Sequence, residues 1–520
     1  MTQIKTHKSL MPKSTEVIVI GSGIGGLCCA GLTARAGKEV LVLEAHSQPG
    51  GAAHGFERQG YRFESGPSLW SGLSRWPSSN PLAQILRALD QPLDVVSYKD
   101  WDVLFPEGHL RVGVGGDGFE RVVQRLRGPE AVAEWQRFTE VLQPIAAAAD
   151  ALPLLALPAS VDGIGPLLRR SGRLVQHLPA IRHLSGAFGP LVDRHLQDPF
   201  LRHWVDLLCF LISGMPMADT NAAAMATLFG EWFDPQSCLD FPKGGSAAVV
   251  DALVRGLEAH GGSLRLGSRV RQVLVDGDRA IGVELSNGET LYADVVVSNA
   301  DAWGTAALMP ETAAKAWRQD RLSTPRCHSF LHLHLGFDAS GLEDLPIHTV
   351  WVGDWERGID ADRNAVVVSI PSVLDPSMAP DGHHVLHAYT PANEPWSEWA
   401  DFQRGTAAYR EKRGQRCQVF WDVLEQRIPD LRSRCQVVME GTPITHRHYL
   451  STDQGSYGPA MSAAKGLFPG VTTPVKGLLQ CGSSCFPGIG IPPVAASGAM
   501  AAHAITGRRA QKDLLRSLDL

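Results

Sequence analysis

A glycine-rich turn between a buried strand and a helix constrains the N-terminal part of this chain more than any other feature. Glu16 to Ile20 reads EVIVI, an apolar run typical of a central parallel strand, and it leads directly into GSGIGG at 21–26. A helical pattern follows, and a second apolar strand ends at Glu44, eighteen residues after Gly26. This strand–turn–helix–strand–acid order is the fingerprint of a dinucleotide-binding unit.

Each glycine of the turn has a separate physical role. Gly21 allows the tight turn, Gly23 lets the backbone approach a pyrophosphate, and Gly26 lets the helix and strand pack closely. Ile24 and Gly25 lie at the helix N-terminus, where free N–H groups and the helix dipole favour a negatively charged ligand. The sequence therefore predicts that the pyrophosphate of a dinucleotide lies here.

The acid that ends the second strand predicts where a ribose of the dinucleotide binds. Glu44, followed by Ala45, is placed to accept hydrogen bonds from ribose hydroxyls. A second GxGxxG at 113–118 follows a short hairpin arm, and no βαβ unit with a suitable acid comes after it. We interpret it as a turn before a helix, so the sequence predicts one nucleotide site and no resident NAD(P).

Length and composition exclude several classes of protein. The chain has 520 residues, which predicts more than one domain, and 44% hydrophobic residues, which is typical of a globular protein. A net charge of −6 gives no indication of nucleic-acid binding. Nine scattered cysteines without a CxxC pair predict reduced thiols and no metal site. The N-terminal residues lack the long apolar run of a secretory signal, so none is expected, and no apolar stretch reaches membrane-spanning length.

The segment after the acid carries a family resemblance. QPGG at 48–51 follows Glu44 within one short loop, and GYRFESGP at 60–67 comes soon after. With these motifs the chain resembles the superfamily of FAD-dependent carotenoid isomerases, phytoene desaturases and retinol saturases. The resemblance implies that Gly50 and Gly51 lie along FAD. It also implies that the segment containing Glu64, with Gly66 and Pro67, passes near the flavin ring.

One departure within this resemblance indicates a branch. Amine oxidases and bacterial-type phytoene desaturases usually carry arginine directly after the glycine pair, whereas this chain has Ala52 and Ala53. Small residues at these positions are more similar to the carotenoid isomerases. The resemblance implies that Ala52 also contacts the cofactor.

Two later segments resemble further parts of the same cofactor site. The run DVVVSNA ends near Asn299, and the resemblance implies that it returns the chain to the nucleotide-binding sheet and that the backbone near Val270 contacts adenine. The closing motif resembles the segment that abuts the flavin, at Gly482 and at the start of a small-residue helix. The implied contacts of that helix start are Gly490, Ile491 and Pro492.

The fold implied by these segments is α/β. It is a Rossmann-type FAD-binding domain that is split in sequence, with an inserted α+β substrate domain. The expected stretches are 14–100, 241–303 and 471–510 for the FAD-binding domain, and 101–240 and 304–470 for the substrate domain.

A basic, leucine-rich segment interrupts the middle of the chain. Residues 163–192 contain no acid, and arginines alternate with leucines between prolines and glycines. Such a segment can lie in a bilayer interface, or it can be a cap helix with a solvated basic face. The resemblance favours the membrane, because carotenoids dissolve in lipid. The expectation is peripheral, monotopic attachment on the cytoplasmic side.

Histidines supply candidates for the chemistry beside the flavin. His328, Phe330, His332 and His334 alternate in CHSFLHLHLGF, which places them on one face of a strand. We interpret this face as one wall of a cavity over the flavin, with a packed or solvated face as the alternative. A metal site is disfavoured, because neighbouring positions are about 6.5–7 Å apart along a strand and no carboxylate is near.

The remaining candidates lie in two other segments. The segment TPITHRHYLSTDQGSYGP resembles the loop that closes the flavin site, which makes His446, His448 and Tyr457 candidates; a polar surface loop is the alternative. Glu64 is the best single carboxylate for acid–base chemistry, although it could equally bond backbone N–H groups. The predicted catalytic set is Glu64, His332, His446 and Tyr457.

Three functions are compatible with these residues. The first is an FAD-dependent cis–trans isomerase of a carotenoid or related polyene, working with reduced flavin. The second is a desaturase or saturase of an isoprenoid that needs an external donor or an acceptor such as a quinone. The third is a flavin-binding protein without catalysis in a pigment pathway.

Overall fold

The computed structural model describes residues 14–115, 118–150, 154–159, 180, 184, 186–234 and 236–520. Its strands are β1 Ser14–Ile20, β2 Val40–Leu43, β3 Gly55–Arg58, β4 Tyr61–Glu64, β5 Trp70–Ser71, β6 Val95–Tyr98, β7 Asp100–Phe105, β8 Gly108–Gly113, β9 Leu239–Pro242, β10 Ser263–Arg265, β11 Val270–Asp276, β12 Arg279–Leu285, β13 Thr290–Ser298, β14 His332–Asp338, β15 His348–Val352, β16 Ala365–Ser369, β17 His383–Tyr389, β18 Cys435–Gly441 and β19 Leu478–Gln480. Its helices are α1 Ile24–Arg35, α2 Pro81–Ala88, α3 Gly118–Arg127, α4 Pro129–Asp150, α5 Gly189–His195, α6 Pro199–Ser213, α7 Ala222–Phe233, α8 Gly245–Ala259, α9 Ala302–Leu308, α10 Lys315–Leu322, α11 Ala407–Leu424, α12 Leu431–Arg434, α13 Pro443–Leu450 and α14 Ile491–Ser517.

The first sheet gathers strands from three distant parts of the chain. Its order is β10–β2–β1–β13–β12–β11, and β19 pairs with the second half of β13. The strands β10, β2, β1, β13 and β19 are parallel, whereas β11 and β12 form an antiparallel hairpin on β13. Helices α1, α8 and α14 pack together beside this sheet. The α/β class and the Rossmann-type unit split in sequence are thereby confirmed, while the boundaries of the stretches stay predictions.

The second sheet forms the centre of the inserted region. Its order is β18–β14–β17–β16–β15–β7–β8, and all of its pairs are antiparallel except β15 with β7. One apolar core joins β7, β8 and β15 to helices α3 to α7, and another covers β14 and β17 with helix α11. The two smaller sheets, β3–β4 and β5–β9–β6, lie between the major units.

The basic segment predicted at 163–192 lies largely outside the described residues, so its two interpretations stay open. Among the residues that the structure does describe, no helix has both the length and the apolar composition needed to cross a membrane. All nine cysteines lie in the described ranges and are free thiols, as the composition predicts.

Candidate flavin site and its aromatic cluster

The candidate cofactor residues follow the ends of adjacent parallel strands. Gly21 comes directly after β1, Glu44 after β2, Asn299 after β13, and Gly482 two residues after β19. Because these strands are parallel neighbours, their carboxyl ends meet at one edge of the first sheet. Ligands of open α/β sheets bind at this edge.

The turn glycines surround the side chain of Asn299. A Cβ atom on Gly23 would lie 2.7 Å from the Asn299 amide nitrogen, and one on Gly25 would lie 2.9 Å from its oxygen. At Gly26 a Cβ atom would lie 2.3 Å from the carbonyl oxygen of Gly21, so helix α1 touches the end of β1. The structure thus brings the fingerprint together with Asn299, which lies 273 residues beyond Gly26 in the sequence.

Glu44 is tied to the turn by hydrogen bonds. Its Oε2 accepts from the backbone N–H of Ser22 at 2.8 Å and from the Ser22 hydroxyl at 2.6 Å. Its Oε1 accepts from the N–H of His46 at 2.8 Å. A carboxylate oxygen has lone pairs for more than one donor, so this half-buried group can still accept from ribose hydroxyls. Close by, the N–H of Ser268, two residues before Val270, donates to the carbonyl of Glu44.

The glycine pair 50–51 lies against the same turn. The N–H of Gly50 donates to the carbonyl of Ser22 at 3.0 Å, and a Cβ atom on Gly51 would lie 3.1 Å from Cα of Gly23. On its other side, the loop reaches Gly66, where a Cβ atom would lie 2.4 Å from the carbonyl oxygen of Ala52. The glycine pair is therefore in direct contact with the dinucleotide turn, and Gly66 is in contact with the residue that follows the pair.

The closing segment completes this edge. The N–H of Gly482 donates to the hydroxyl of Ser497 on α14 at 2.8 Å. Helix α14 begins at Ile491 with Pro492 in its first turn, and Gly490 precedes it with φ 106°. Further along the helix, a Cβ atom on Gly498 would lie 2.3 Å from the carbonyl oxygen of Gly25. The first third of α14 is thereby held close to the start of α1.

Replacing Glu44 by alanine should weaken FAD retention by about ten- to hundredfold, because hydrogen bonds to a charged group contribute about 1.5–3 kcal/mol. The measurement is flavin absorbance per protein after gel filtration, with titration of the apoprotein by FAD. Glu258→Ala, at an exposed position of α8, is the control. Equal FAD affinity in the two variants would remove Glu44 from the predicted cofactor site.

Glu64 lies at the N-terminus of helix α8. It is 2% exposed, and its Oε1 accepts the N–H of Ser246 at 2.9 Å. Its Oε2 and the Ser246 hydroxyl have no hydrogen-bond partner among the described residues. Burial raises the pKa of this carboxyl to about 7, although the hydrogen bond from the Ser246 N–H acts to lower it. Glu64 therefore combines a backbone-capping contact with a carboxyl group that holds a proton near neutral pH.

An aromatic cluster covers one face of the second sheet next to Glu64. Its members are Phe330, His332, Tyr389, His446 and Tyr457. The Phe330 ring lies 5.2 Å from Tyr457, 5.1 Å from His446 and 5.5 Å from His332, measured between centroids. His332 lies 5.6 Å from His446 and 6.3 Å from Tyr389. The structure thus brings three of the four predicted catalytic residues into one cluster.

The fourth predicted catalytic residue, Glu64, is connected to the cluster through three imidazole rings. His334 Nε2 lies 2.9 Å from the backbone oxygen of Glu64, and its ring stacks on His387 at 4.3 Å. His387 Nε2 lies 2.9 Å from His332 Nδ1. All three imidazoles are buried, so stacked and hydrogen-bonded rings connect Glu64 to the aromatic cluster.

The cluster is uncharged at neutral pH. Burial lowers the pKa of His332 and of His387 well below the ordinary histidine value, and it lowers that of His334 and of His446 to about 4. Burial also raises the pKa of Tyr457 above its ordinary value. Neutral rings of this kind suit an apolar ligand, because no charge has to be desolvated when it binds.

Comparison with known proteins identifies the family of this chain. The family of flavin containing amine oxidoreductases matches residues 24–506, which is nearly the whole chain. The chain belongs to this family. It is therefore a flavin-dependent oxidoreductase-type enzyme, and FAD is the flavin to which the dinucleotide fingerprint and the glycine contacts are suited.

Individual relatives show which enzymes and solved structures this chain is similar to. Prolycopene isomerase 1 of an Oncidium hybrid cultivar is 31% identical, covering 94% of this chain and 83% of the relative. A neurosporene-forming phytoene desaturase of Cereibacter sphaeroides is 26% identical, over 97% of this chain and 98% of the relative. An oxidoreductase from Methanosarcina mazei has a similar fold, with TM-score 0.62 and 19% identity, covering 94% of this chain and 100% of that one. The resemblance read from the motifs is confirmed.

The residues of this oxidoreductase fit FAD. The edge of the first sheet offers a glycine turn without side chains, the N-terminus of α1, and the carboxylate of Glu44 beside it. FAD bound there would be held by 21–26, 44–45 and 50–52 at its nucleotide end, and by 66–67, 482 and 490–492 at its flavin end. The contacts of individual residues with the cofactor stay predictions.

Two expectations about the histidine-rich segments are wrong. Strand β14 begins at His332, and His328 is exposed before it, so the four alternating residues do not share one strand face. The first half of the segment expected as a loop, Pro443–Leu450, forms helix α13, which follows the cap Thr442. A helix turns its side chains by about 100° per residue, so His446 faces inward and His448 is exposed.

Several residues of the site were missed by sequence reasoning. His387 and Tyr389 share one face of β17 and lie opposite His334 and His332. Their period-two spacing in HHVLHAYT was the signal that could have found them. Ser246 was missed because a serine after a glycine pair carries no signal for a contact made by its backbone. Within the described ranges, no group of three or more histidine, cysteine or acidic side chains is arranged to hold a metal ion.

Proposed function

We propose that this flavoenzyme isomerises cis double bonds of a carotenoid or a related polyene, with its flavin in the reduced state. The observation that carries the proposal is the uncharged aromatic cluster beside the flavin segments, taken together with the similarity to a prolycopene isomerase over 94% of the chain. A hydrocarbon polyene offers no hydrogen bonds, so apolar and aromatic contact is the means by which a protein can bind it.

Bound FAD would supply reversible electron transfer to and from the substrate. The chain's own residues would bind and orient the polyene between the aromatic cluster and the segments predicted at the flavin end of FAD, 66–67, 482 and 490–492. Glu64 would keep a proton available near this site, since its pKa is raised to about 7 by burial. A proton that is added to the polyene has to be recovered for the isomer to keep its mass, and one buried acid can do both.

We also propose that the enzyme works at a membrane surface. Carotenoid substrates reside in lipid, and the basic, leucine-rich segment at 163–192 has the composition of an interfacial segment. Peripheral attachment on the cytoplasmic side would let the polyene enter the site directly from the bilayer.

A desaturase is the second candidate. It is favoured by the similarity to a phytoene desaturase over 97% of the chain. This reaction removes two hydrogens per turn, so it would require an external electron acceptor such as a quinone.

One experiment separates these functions. The FAD-loaded protein is incubated without oxygen with a poly-cis carotene in liposomes, once with oxidised and once with pre-reduced flavin, and the products are identified by chromatography and mass. We expect isomers of unchanged mass with reduced flavin alone. Loss of two hydrogens with oxidised flavin would instead support the desaturase.

The same incubation includes two controls. A preparation of Glu44→Ala without FAD tests whether the flavin is required, and liposomes with and without anionic lipid, separated by flotation, report membrane attachment. If no product forms with either flavin state while FAD is fully bound, then the protein does not act on this polyene, and the non-catalytic flavoprotein becomes the supported interpretation.

A further inference from the structure

The segment 443–457 lies between the aromatic cluster and the cofactor edge, where the parallel strands of the first sheet end. It comprises helix α13 and the turn that leads to Tyr457. Two of its residues, His446 and Tyr457, belong to the aromatic cluster. We call it the linking segment, because its other contacts reach the cofactor edge.

The linking segment is braced by its own contacts. Nδ1 of His446 lies 2.9 Å from the carbonyl oxygen of Gly455. A Cβ atom on Gly455 would lie 2.4 Å from the carbonyl oxygen of Pro443, so the turn packs directly on the first residue of α13. The helix and the turn therefore form one unit, and a displacement of one is passed to the other.

Two hydrogen bonds tie this unit to the cofactor edge. Arg269, which precedes the predicted adenine contact Val270, donates to the hydroxyl of Ser451 at 3.0 Å. The N–H of Asp453 donates to the carboxylate of Asp301, which follows β13, at 2.8 Å. The linking segment is thus attached to two of the places where the first sheet is predicted to meet FAD.

A third contact comes from Tyr449 at the C-terminal end of α13. Its ring lies 5.7 Å from the ring of His46, measured between centroids. The N–H of His46 donates at 2.8 Å to Glu44, the predicted ribose contact, and its carbonyl accepts the N–H of Gly267 at 3.0 Å. Tyr449 therefore lies at the end of the site that is predicted to hold the adenosine half of FAD.

Exposed apolar surface is concentrated at this end of the site. Tyr449 is 41% exposed and Leu266, the neighbour of Gly267, is 40% exposed, which makes them two of the five exposed large apolar side chains in the described ranges. Arg404 lies over the Tyr449 ring at 5.1 Å and donates to its hydroxyl at 3.1 Å, so the ring is held in place. A fixed aromatic ring that is open to solvent suits a flat base, because every base has a π-face that can stack on it.

We propose that Tyr449 binds the adenosine half of FAD, and that the linking segment uses this contact to position His446 and Tyr457. The proposal rests on the proposed function in one respect, namely that the polyene binds at the aromatic cluster. FAD would then arrange the polyene site before the polyene enters it.

A small displacement of the linking segment is enough for this effect. A radial gap of about 0.5–1 Å removes a quarter to a half of the van der Waals attraction between two atoms, and a polyene is bound by such contacts. The position of the His446 and Tyr457 rings therefore affects how firmly the polyene is held. Because coupling between two binding sites is reciprocal, a bound polyene should in turn tighten the binding of FAD.

Titration with ADP tests the Tyr449 contact without flavin or polyene. The full-length protein is freed of FAD and titrated with ADP, which carries the adenosine and pyrophosphate of FAD, and binding is followed by calorimetry. Tyr449→Ala should bind ADP about tenfold more weakly than the parent, because base stacking on an aromatic ring is lost. Tyr449→Phe keeps the ring and should bind ADP as the parent does. Tyr292→Ala, which removes a tyrosine that is 50% exposed at the start of β13, is the control. Equal ADP affinity in Tyr449→Ala and Tyr292→Ala would overturn the contact.

NMR of the His446 ring tests whether the contact is transmitted. The imidazole C–H signals are assigned by their loss in His446→Gln. In the parent, saturation with ADP should shift these signals toward their values in the FAD-loaded protein. In Tyr449→Ala, saturation with ADP should leave them unshifted, and Tyr449→Phe should restore the shift. A shift of equal size in Tyr449→Ala and the parent would show that ADP acts on His446 without Tyr449, and it would overturn the proposal, as would the absence of a shift in the parent.

Turnover of the FAD-saturated proteins tests the consequence for the polyene site. With equal flavin absorbance per protein, Tyr449→Ala should isomerise a poly-cis carotene roughly ten- to hundredfold more slowly than the parent, because a misplacement of about 1 Å can cost a hundredfold in rate. Tyr292→Ala should keep the parent rate. Equal rates in the two variants would overturn the positioning of the cluster by Tyr449. If neither the parent nor any variant isomerises a polyene, the proposed function fails, whereas the ADP titration and the His446 signals still decide the linking segment.

Discussion

Gly26→Ala is expected to prevent stable FAD binding and to lower the free energy of unfolding by about 3 kcal/mol. The added Cβ atom would lie 2.3 Å from the carbonyl oxygen of Gly21 and 3.1 Å from the side chain of Asn299. Both neighbours belong to the cofactor edge of the first sheet, and the first of them is backbone. Helix α1 would have to move away from β1, which would displace its N-terminus from the predicted pyrophosphate position.

Gly414→Ala is the matched control for this substitution. Gly414 also lies within a helix, α11, and a Cβ atom there meets nothing within 4 Å. Alanine favours a helix over glycine by about 1 kcal/mol, so this variant should be slightly more stable than the parent. The measurements are denaturant unfolding of each protein and its bound FAD. Similar unfolding midpoints for the two alanine variants would contradict close packing of α1 on the turn.

Glu64→Gln is expected to become more stable, relative to the parent protein, as the pH rises. Burial raises the folded-state pKa of Glu64 from 4.5 to about 7. The protonated form is therefore favoured by folding, and its stabilising contribution is complete below pH 4.5 and is lost as the pH rises through about 7. A shift of this size corresponds to about 3 kcal/mol, because one pKa unit corresponds to about 1.36 kcal/mol.

The amide introduced by Glu64→Gln cannot titrate but can still accept the N–H of Ser246, so the substitution keeps the capping contact and removes the charge. Unfolding midpoints between about pH 5 and pH 8 measure the difference between variant and parent. Glu57→Gln, an exposed position on β3, is the control. A difference for Glu64→Gln that stays constant over this range would show that Glu64 is not a buried acid with a raised pKa.

The cofactor side of the protein could be predicted from local sequence. A strand, a glycine turn, a helix and an acid lie within about thirty residues, and the contacts among them are set by the chain's own short connections. Helix α1 and strands β1 and β2 accordingly form where the apolar runs and glycines predict them. The assignment of the later segments to the cofactor site depended on the family resemblance, because neither a short strand nor a small-residue helix shows by itself which elements it will contact.

Only the tertiary structure decided the surroundings of Glu64 and the order of the histidines. Glu64 meets the backbone of Ser246 across 182 residues of sequence, and the pairing of two distant segments is not encoded in either one alone. His334, His387, Ser369 and His348 lie side by side because β14, β17, β16 and β15 pair in that order and register. A shift of one residue in any pair would send one of its side chains to the opposite face. The sequence by itself therefore determined the family, the cofactor and the dinucleotide turn, whereas strand order and register determined which buried polar groups meet.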